Sequence, residues 1–154
     1  MNVEQVLIST TVAKAGMTVR ELFEECTRAN TPGLPFCDAS GQITGRVTLK
    51  NILKRGCLPE YLVEMAQVLG EQISNLQDIE ADARQLLSNP VDQYKQEAHL
   101  SITSASSAVK ALAMMERGDT SYIFVVDDGK YKGVVTIHGL ASMLARYDTP
   151  PEQN

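Results

Sequence analysis

Thr48, Lys50 and Asn51 stand together where an apolar run gives way to helical spacing, with Arg46 just ahead of them. A hydroxyl at a strand-to-helix junction, beside the backbone N–H groups of a helix start, suits an oxyanion such as phosphate. The flanking charge agrees. Arg46, Lys50, Lys54 and Arg55 fall within ten residues, and no acid lies between Ala39 and Pro59. Lys50 and Lys54 are four apart and share a helix face. A second cluster follows downstream: Gly45-Arg46-Val47-Thr48-Leu49-Lys50 returns as Gly133-Val134-Val135-Thr136-Ile137-His138. There the basic positions are taken by Val134, His138, Ser142 and Met143, so only His138 can be cationic. Plainer roles compete. A charged helix face usually serves solubility, and Thr136 alone reads first as a helix cap.

The clusters belong to a longer internal repeat, which sets architecture before any single residue is interpreted. Phe36-Cys37-Asp38 returns as Val125-Val126-Asp127 at an offset of 89, and the glycines return at 88. Val19, Leu22, Phe23 and Cys26 follow a Thr18-Val19-Arg20-Glu21 capping box at helical spacing. Shifted by 89 they become Ala108, Ala111, Leu112 and Met115, all apolar. Each copy then shows a breaker, Thr31-Pro32-Gly33 or Gly118-Asp119-Thr120-Ser121, and two short apolar runs joined by an Asp- and Gly-containing turn. That is a hairpin signal. Closing helices are expected near 50–55 and 139–147. The openings also match, Val3-Glu4-Gln5 against Val91-Asp92-Gln93. Three segments result: a first repeat at 2–55, an acidic helical connector at 56–89 and a second repeat at 90–147.

Between Pro59 and Pro90 there are six acids and one base, Arg84. This accounts for the whole net charge of −5. Leu62, Ala66, Leu69, Ile73, Leu76, Ala83 and Leu87 step mostly by three and four, giving one amphipathic helix or two broken near Gly70 or Asn75. Its plain role is to cover the core; its sharper role is an added interface. Its acidity disfavours a membrane surface.

Composition narrows the function classes. The 154 residues include no Trp and only 5% aromatics, which disfavours stacking on single-stranded nucleic acid. The negative charge disfavours non-specific nucleic-acid binding. Cys26, Cys37 and Cys57 form no C-x-x-C pair and read as reduced thiols of a cytoplasmic protein. The start lacks a signal peptide, and no run approaches the ~18 apolar residues of a membrane span. Neither a catalytic nor a metal-ligating constellation is recognisable, so no enzyme, metal or required cofactor is expected. Asp127-Asp128 is explained by its tight hairpin.

The repeat resembles a tandem pair of CBS domains, the family named after cystathionine β-synthase. The resemblance covers residues 2–55 and 90–147. The family signature is a glycine, a short apolar strand, Thr or Ser, two variable residues, then Asp or Asn. Gly45 to Asn51 fits, with Arg46 at a usually apolar place; Gly133 to Gly139 fits except for Gly139 at the end. Leu34-Pro35-Phe36-Cys37-Asp38 resembles the family's apolar-Pro-Val-x-Asp strand. The implied fold is α/β (α+β): two β-α-β-β-α CBS-type repeats with pseudo-two-fold symmetry and a helical connector. Taken with the charge reading above, the candidate site residues are Thr48, Asn51, Lys50, Arg46 and Pro35, with Thr136 and His138 in a weaker second cleft. Asn51 takes the ribose position, where an amide holds a diol less firmly than a carboxylate. The resemblance implies a homodimeric, non-enzymatic sensor of AMP, ADP or ATP that signals to a separate protein partner. The alternative is a nucleotide-independent interaction scaffold using the dimer and the acidic connector.

Overall fold

The computed structural model describes residues 2–58, 60–69 and 83–147. In the first repeat, helix α1 (Val19–Ala29) leads into an antiparallel hairpin of β1 (Gly33–Cys37) and β2 (Ile43–Thr48), then helix α2 (Leu49–Cys57). Helix α3 (Glu60–Leu69) and a helical stretch at 83–88, α4, form the described part of the connector. The second repeat contains β3 (Ser101–Ile102), α5 (Ala108–Arg117), β4 (Tyr122–Asp127), β5 (Lys130–Thr136) and α6 (Ile137–Tyr147). The opening strand of each unit is short. Ile102 pairs in parallel with Val125, and Ala13 forms a single parallel bridge to Phe36 at the matching place.

The repeat persists in atomic detail. Glu21 N–H donates to Thr18 Oγ1 (3.2 Å), and Lys110 N–H to Ser107 Oγ (3.1 Å), so both first helices carry the same N-cap. Asn30 and Asp119 end those helices in left-handed backbone, at φ 53° and 48°. Each hairpin shifts register at one place, Phe36/Cys37 and Val125/Val126. These points are 89 residues apart.

The leading segments are exchanged. Ile8 pairs with Val134 of the second repeat, and Gln96 pairs with Arg46 of the first. Asn2 bridges Ser107, while Pro90 bridges Thr18. Val3 is therefore buried with Ile102, Ala111, Met115 and Leu140. Val91 and Tyr94 are buried with Val19, Leu22, Val47 and Ile52. Val3 and Val91 are both fully buried, each contributing ~1.5–3 kcal/mol to docking its segment. The motif glycines make room for the crossing strands. A Cβ on Gly45 would lie 2.3 Å from Gln96 O, and one on Gly133 2.3 Å from Ile8 O.

The two described parts of the connector differ. Leu86 on α4 is buried in the first core with Leu87 packed beside it, and α4 crosses α2 where Gly56 leaves space. On α3, by contrast, Tyr61 and residues 63–68 are exposed. Among the described residues of the connector, the covering role is met at 83–88. Ile73, Leu76, Ile79 and the expected break at Gly70 or Asn75 lie outside the described residues. Leu112 departs from the core pattern of its repeat mates and lies on the outer face of α5.

Candidate functional site

Strand β2 and the first turn of α2 deliver Arg46, Thr48 and Lys50 to one wall of a pocket of about 540 Å³. The facing wall comes from the other repeat: the end of α5 and the turn into β4 contribute Glu116, Asp119, Thr120, Ser121 and Tyr122. The pocket therefore lies between the repeats, as a cleft joining two copies of one unit should.

Thr48 is buried and its Oγ1 accepts from Asn51 N–H (3.1 Å), the N-cap bond of α2. Leu49 N–H donates to Pro32 O (2.9 Å). Two of the first-turn amides are thus already used, and Lys50 N–H is engaged in neither bond. Arg46 is fixed at its backbone by two bonds to Gln96, 2.7 and 2.8 Å. Its Nε is buried without a hydrogen-bond partner among the described residues, and so is the hydroxyl of Tyr122. Tyr122 is only 6% exposed. Burial pushes its phenol up to about 12, against the opposing charge of the nearby Arg46 guanidinium and a long hydrogen-bonding approach of that side chain to the phenol. A buried polar atom left without a partner costs about 1–3 kcal/mol.

The other expected residues lie elsewhere. Asn51 Nδ2 donates to Tyr94 O (3.1 Å), so its amide ties α2 to the exchanged segment of the second repeat. Pro35 is buried in β1 opposite Arg46. Thr136 caps α6, accepting from Gly139 N–H (3.1 Å), and His138 is exposed. A Cβ on Gly139 would sit 3.3 Å from Val6 Cβ. The last motif position thus faces the exchanged segment in both repeats, by a hydrogen bond at Asn51 and by close packing at Gly139. None of Asn51, Pro35, Thr136 and His138 lines the 540 Å³ pocket.

Reading charge from the neighbouring sequence alone made this cleft basic. The fold places Glu116 and Asp119 opposite Arg46 and Lys50. The reason is topological: these acids are about 70 residues away in the chain and reach the site only through repeat-to-repeat packing. Thr120, Ser121, Tyr122 and Gln96 were equally hidden. The usable signal was the 89-residue offset that makes Tyr122 the counterpart of Gly33.

A wider groove of about 1190 Å³ runs along the hairpin turns and holds none of the expected residues. Asp38 there is occupied as a turn acceptor from Ser40 and Gln42. Among the described residues there is no cluster of His, Cys, Asp and Glu fit for a metal ion, and no helix long and apolar enough to cross a membrane. Cys26, Cys37 and Cys57 are unpaired, and burial pushes the Cys26 thiol up to about 12.

Comparison with known proteins agrees with this architecture. Residues 86–146 match the family model of the CBS domain. No curated protein matches the chain. Among solved structures, a CBS domain-containing protein of unknown function from Kribbella flavida is similar at 20% identity and TM-score 0.65, covering 94% of this chain and 98% of that one. The CBS domain pair of protein MJ0100, in complex with 5′-methylthioadenosine and S-adenosyl-L-methionine, gives 15% identity, TM-score 0.65 and coverage of 96% and 98%. CBSX2 in complex with AMP gives 15%, 0.62, 96% and 98%. Residues 86–146 thus match the CBS-domain model, and the fold across both repeats is that of CBS domain pairs.

Proposed function

We propose that this chain is a non-enzymatic regulatory module that binds an adenine nucleotide of the AMP, ADP or ATP class in the cleft between its repeats and signals to a separate protein. The observation that carries this reading is the 540 Å³ pocket joining Arg46, Thr48 and Lys50 of one repeat to Tyr122 of the other. The adenosine ligands held by CBSX2 and by the MJ0100 pair support the ligand class. A ligand touching both walls favours one arrangement of the repeats, and only such a difference in affinity can be read by a partner. The module works as a homodimer in the cytoplasm, a setting compatible with its three unpaired cysteines. Calorimetry with AMP, ADP and ATP tests the reading. Thr48→Ala should weaken binding about tenfold if its hydroxyl meets a phosphate, and Thr136→Ala should do much less. No heat with any of the three at millimolar concentration rejects it.

The second reading is a nucleotide-independent scaffold. It is favoured by α3, whose Tyr61, Val63, Met65 and Val68 are exposed on an acidic segment, and by the engagement of Asn51 with Tyr94.

A further inference from the structure

The described side chains of helix α3, Tyr61 and residues 63–68, are all exposed. None of them belongs to a buried cluster of either repeat. A helix of 10 residues draws little stability from its own backbone and depends on packing an apolar face. In the same connector α4 obtains that packing by burying Leu86. Tyr61, Val63, Met65 and Val68 obtain none from the described residues.

Tyr61, Met65 and Val68 step by four and three, so they form one stripe along α3. Glu64 borders that stripe, three residues after Tyr61 and four before Val68. The surrounding charge has one sign. From Gly56 to Ala83 the chain holds six acids and no Lys, Arg or His. Such a stripe meets like charge on the same stripe of a second copy, on anionic lipid and on nucleic acid. What complements it is an amphipathic helix whose own apolar stripe is edged by Lys or Arg. Tyr61 offers a large apolar body to such a helix, and the flexible Met65 adapts to its side chains.

We propose that α3 is the docking face for a separate protein, which lays a basic amphipathic helix on Tyr61, Met65 and Val68 and sets a cation against Glu64. The proposal rests on that part of the reading above which calls for a protein partner, and it holds whether or not the cleft takes a nucleotide.

Fluorescence anisotropy of the whole chain with two labelled peptides of about 18 residues tests it, one of Leu and Lys and one of Leu and Glu in the same helical pattern. The Leu/Lys peptide should bind, and the Leu/Glu peptide at least about tenfold more weakly. Tyr61→Ala/Met65→Ala should weaken the Leu/Lys peptide about tenfold or more. Both side chains lie outside the cores and Ala favours helix, so the fold is kept. Glu64→Lys should weaken it about threefold or more, a difference that fades between about 0.05 and 0.5 M salt. Val109→Ala, at an exposed apolar position on α5, should change nothing. No binding of the Leu/Lys peptide, equal binding of the two peptides, or unchanged affinity in the α3 variants overturns the proposal. A wild-type dimer that Tyr61→Ala/Met65→Ala turns into a monomer in light scattering also overturns it, because a second copy then covers the stripe. So does co-sedimentation with phosphatidylcholine–phosphatidylserine vesicles that the same variant abolishes. None of these outcomes bears on calorimetry with AMP, ADP and ATP, so failure of the docking face and failure of the nucleotide reading are read separately.

Discussion

Gly33 and Tyr122 occupy the same position in the two repeats, and they meet: a Cβ built on Gly33 would lie 2.8 Å from the Tyr122 hydroxyl. The phenol takes the space that its counterpart leaves empty. A two-fold arrangement cannot place two tyrosines at that point, so the repeats differ where they touch. The asymmetry is polar as well as steric. It gives the cleft with Thr48 a buried hydroxyl and gives the Gly33 position none.

Gly33→Ala should therefore destabilise the protein. The new methyl would also sit 2.7 Å from Val47 O, and backbone cannot step aside. Overpacking of this kind costs ~1–3 kcal/mol. Urea unfolding should show a lower midpoint. Tyr122→Phe should recover only part of the loss, because the Val47 clash remains. Full recovery would show that the tyrosine alone sets the requirement for glycine.

Acid stability should depend on Glu25. Its carboxylate accepts from Arg28 Nε–H and from Thr11 N–H (2.6 Å), joining α1 to the segment before it. The Arg28 hydrogen bond is the main reason its pKa falls from 4.5 to about 2. A depressed carboxylate stabilises the fold fully above its unfolded pKa, and that contribution disappears as pH falls through the folded one. Glu25→Gln should thus be less stable than wild type at pH 7. The difference should shrink between pH about 4.5 and 2. Parallel stability curves over that range would show that Glu25 is not responsible.

Assembly has a surface on offer. Leu53 and Leu144 are 47% and 55% exposed, but Met143 is buried in the second core. Val109, Leu112, Ile137 and Tyr147 extend the exposed set over α5 and α6. If copies pair through this face, Leu112→Glu with Leu144→Glu should convert a dimer to a monomer at tens of micromolar, where ~micromolar dimers are formed. Light scattering reads the outcome. A wild-type monomer at that concentration removes the homodimer from the proposal.

Much of the unit is legible in the chain because it is local and stated twice. Thr18, Ser107, Thr48 and Thr136 each cap a helix from within three residues. Such bonds follow from spacing alone. The exchange of leading segments is not legible. Val3 and Val91 have the same apolar character whichever repeat buries them, and periodicity does not name a partner. The acidic wall of the cleft was hidden for the same reason. Tyr122 could be located only through its offset from Gly33, a position where one copy has no side chain to compare.

Asn51 shows how that gap changes an experiment. The family pattern makes Asn51→Asp a gain of ribose acceptor and predicts equal or tighter adenosine binding. The fold has the Asn51 amide donating to Tyr94 O at 3.1 Å. An aspartate cannot donate when ionised, so the change places a carboxylate against a carbonyl oxygen. It removes a partly buried hydrogen bond between α2 and the exchanged segment and adds repulsion. The expected cost is ~1–3 kcal/mol of stability. Asn51→Asp should lower the urea midpoint and leave nucleotide affinity unimproved. Asn51→Ala supplies the control, since it loses the same bond without the added charge and should be the milder of the two. Tighter AMP binding in Asn51→Asp at undiminished stability would mean that this side chain turns from Tyr94 to the ligand, and the placement of the site would have to follow it.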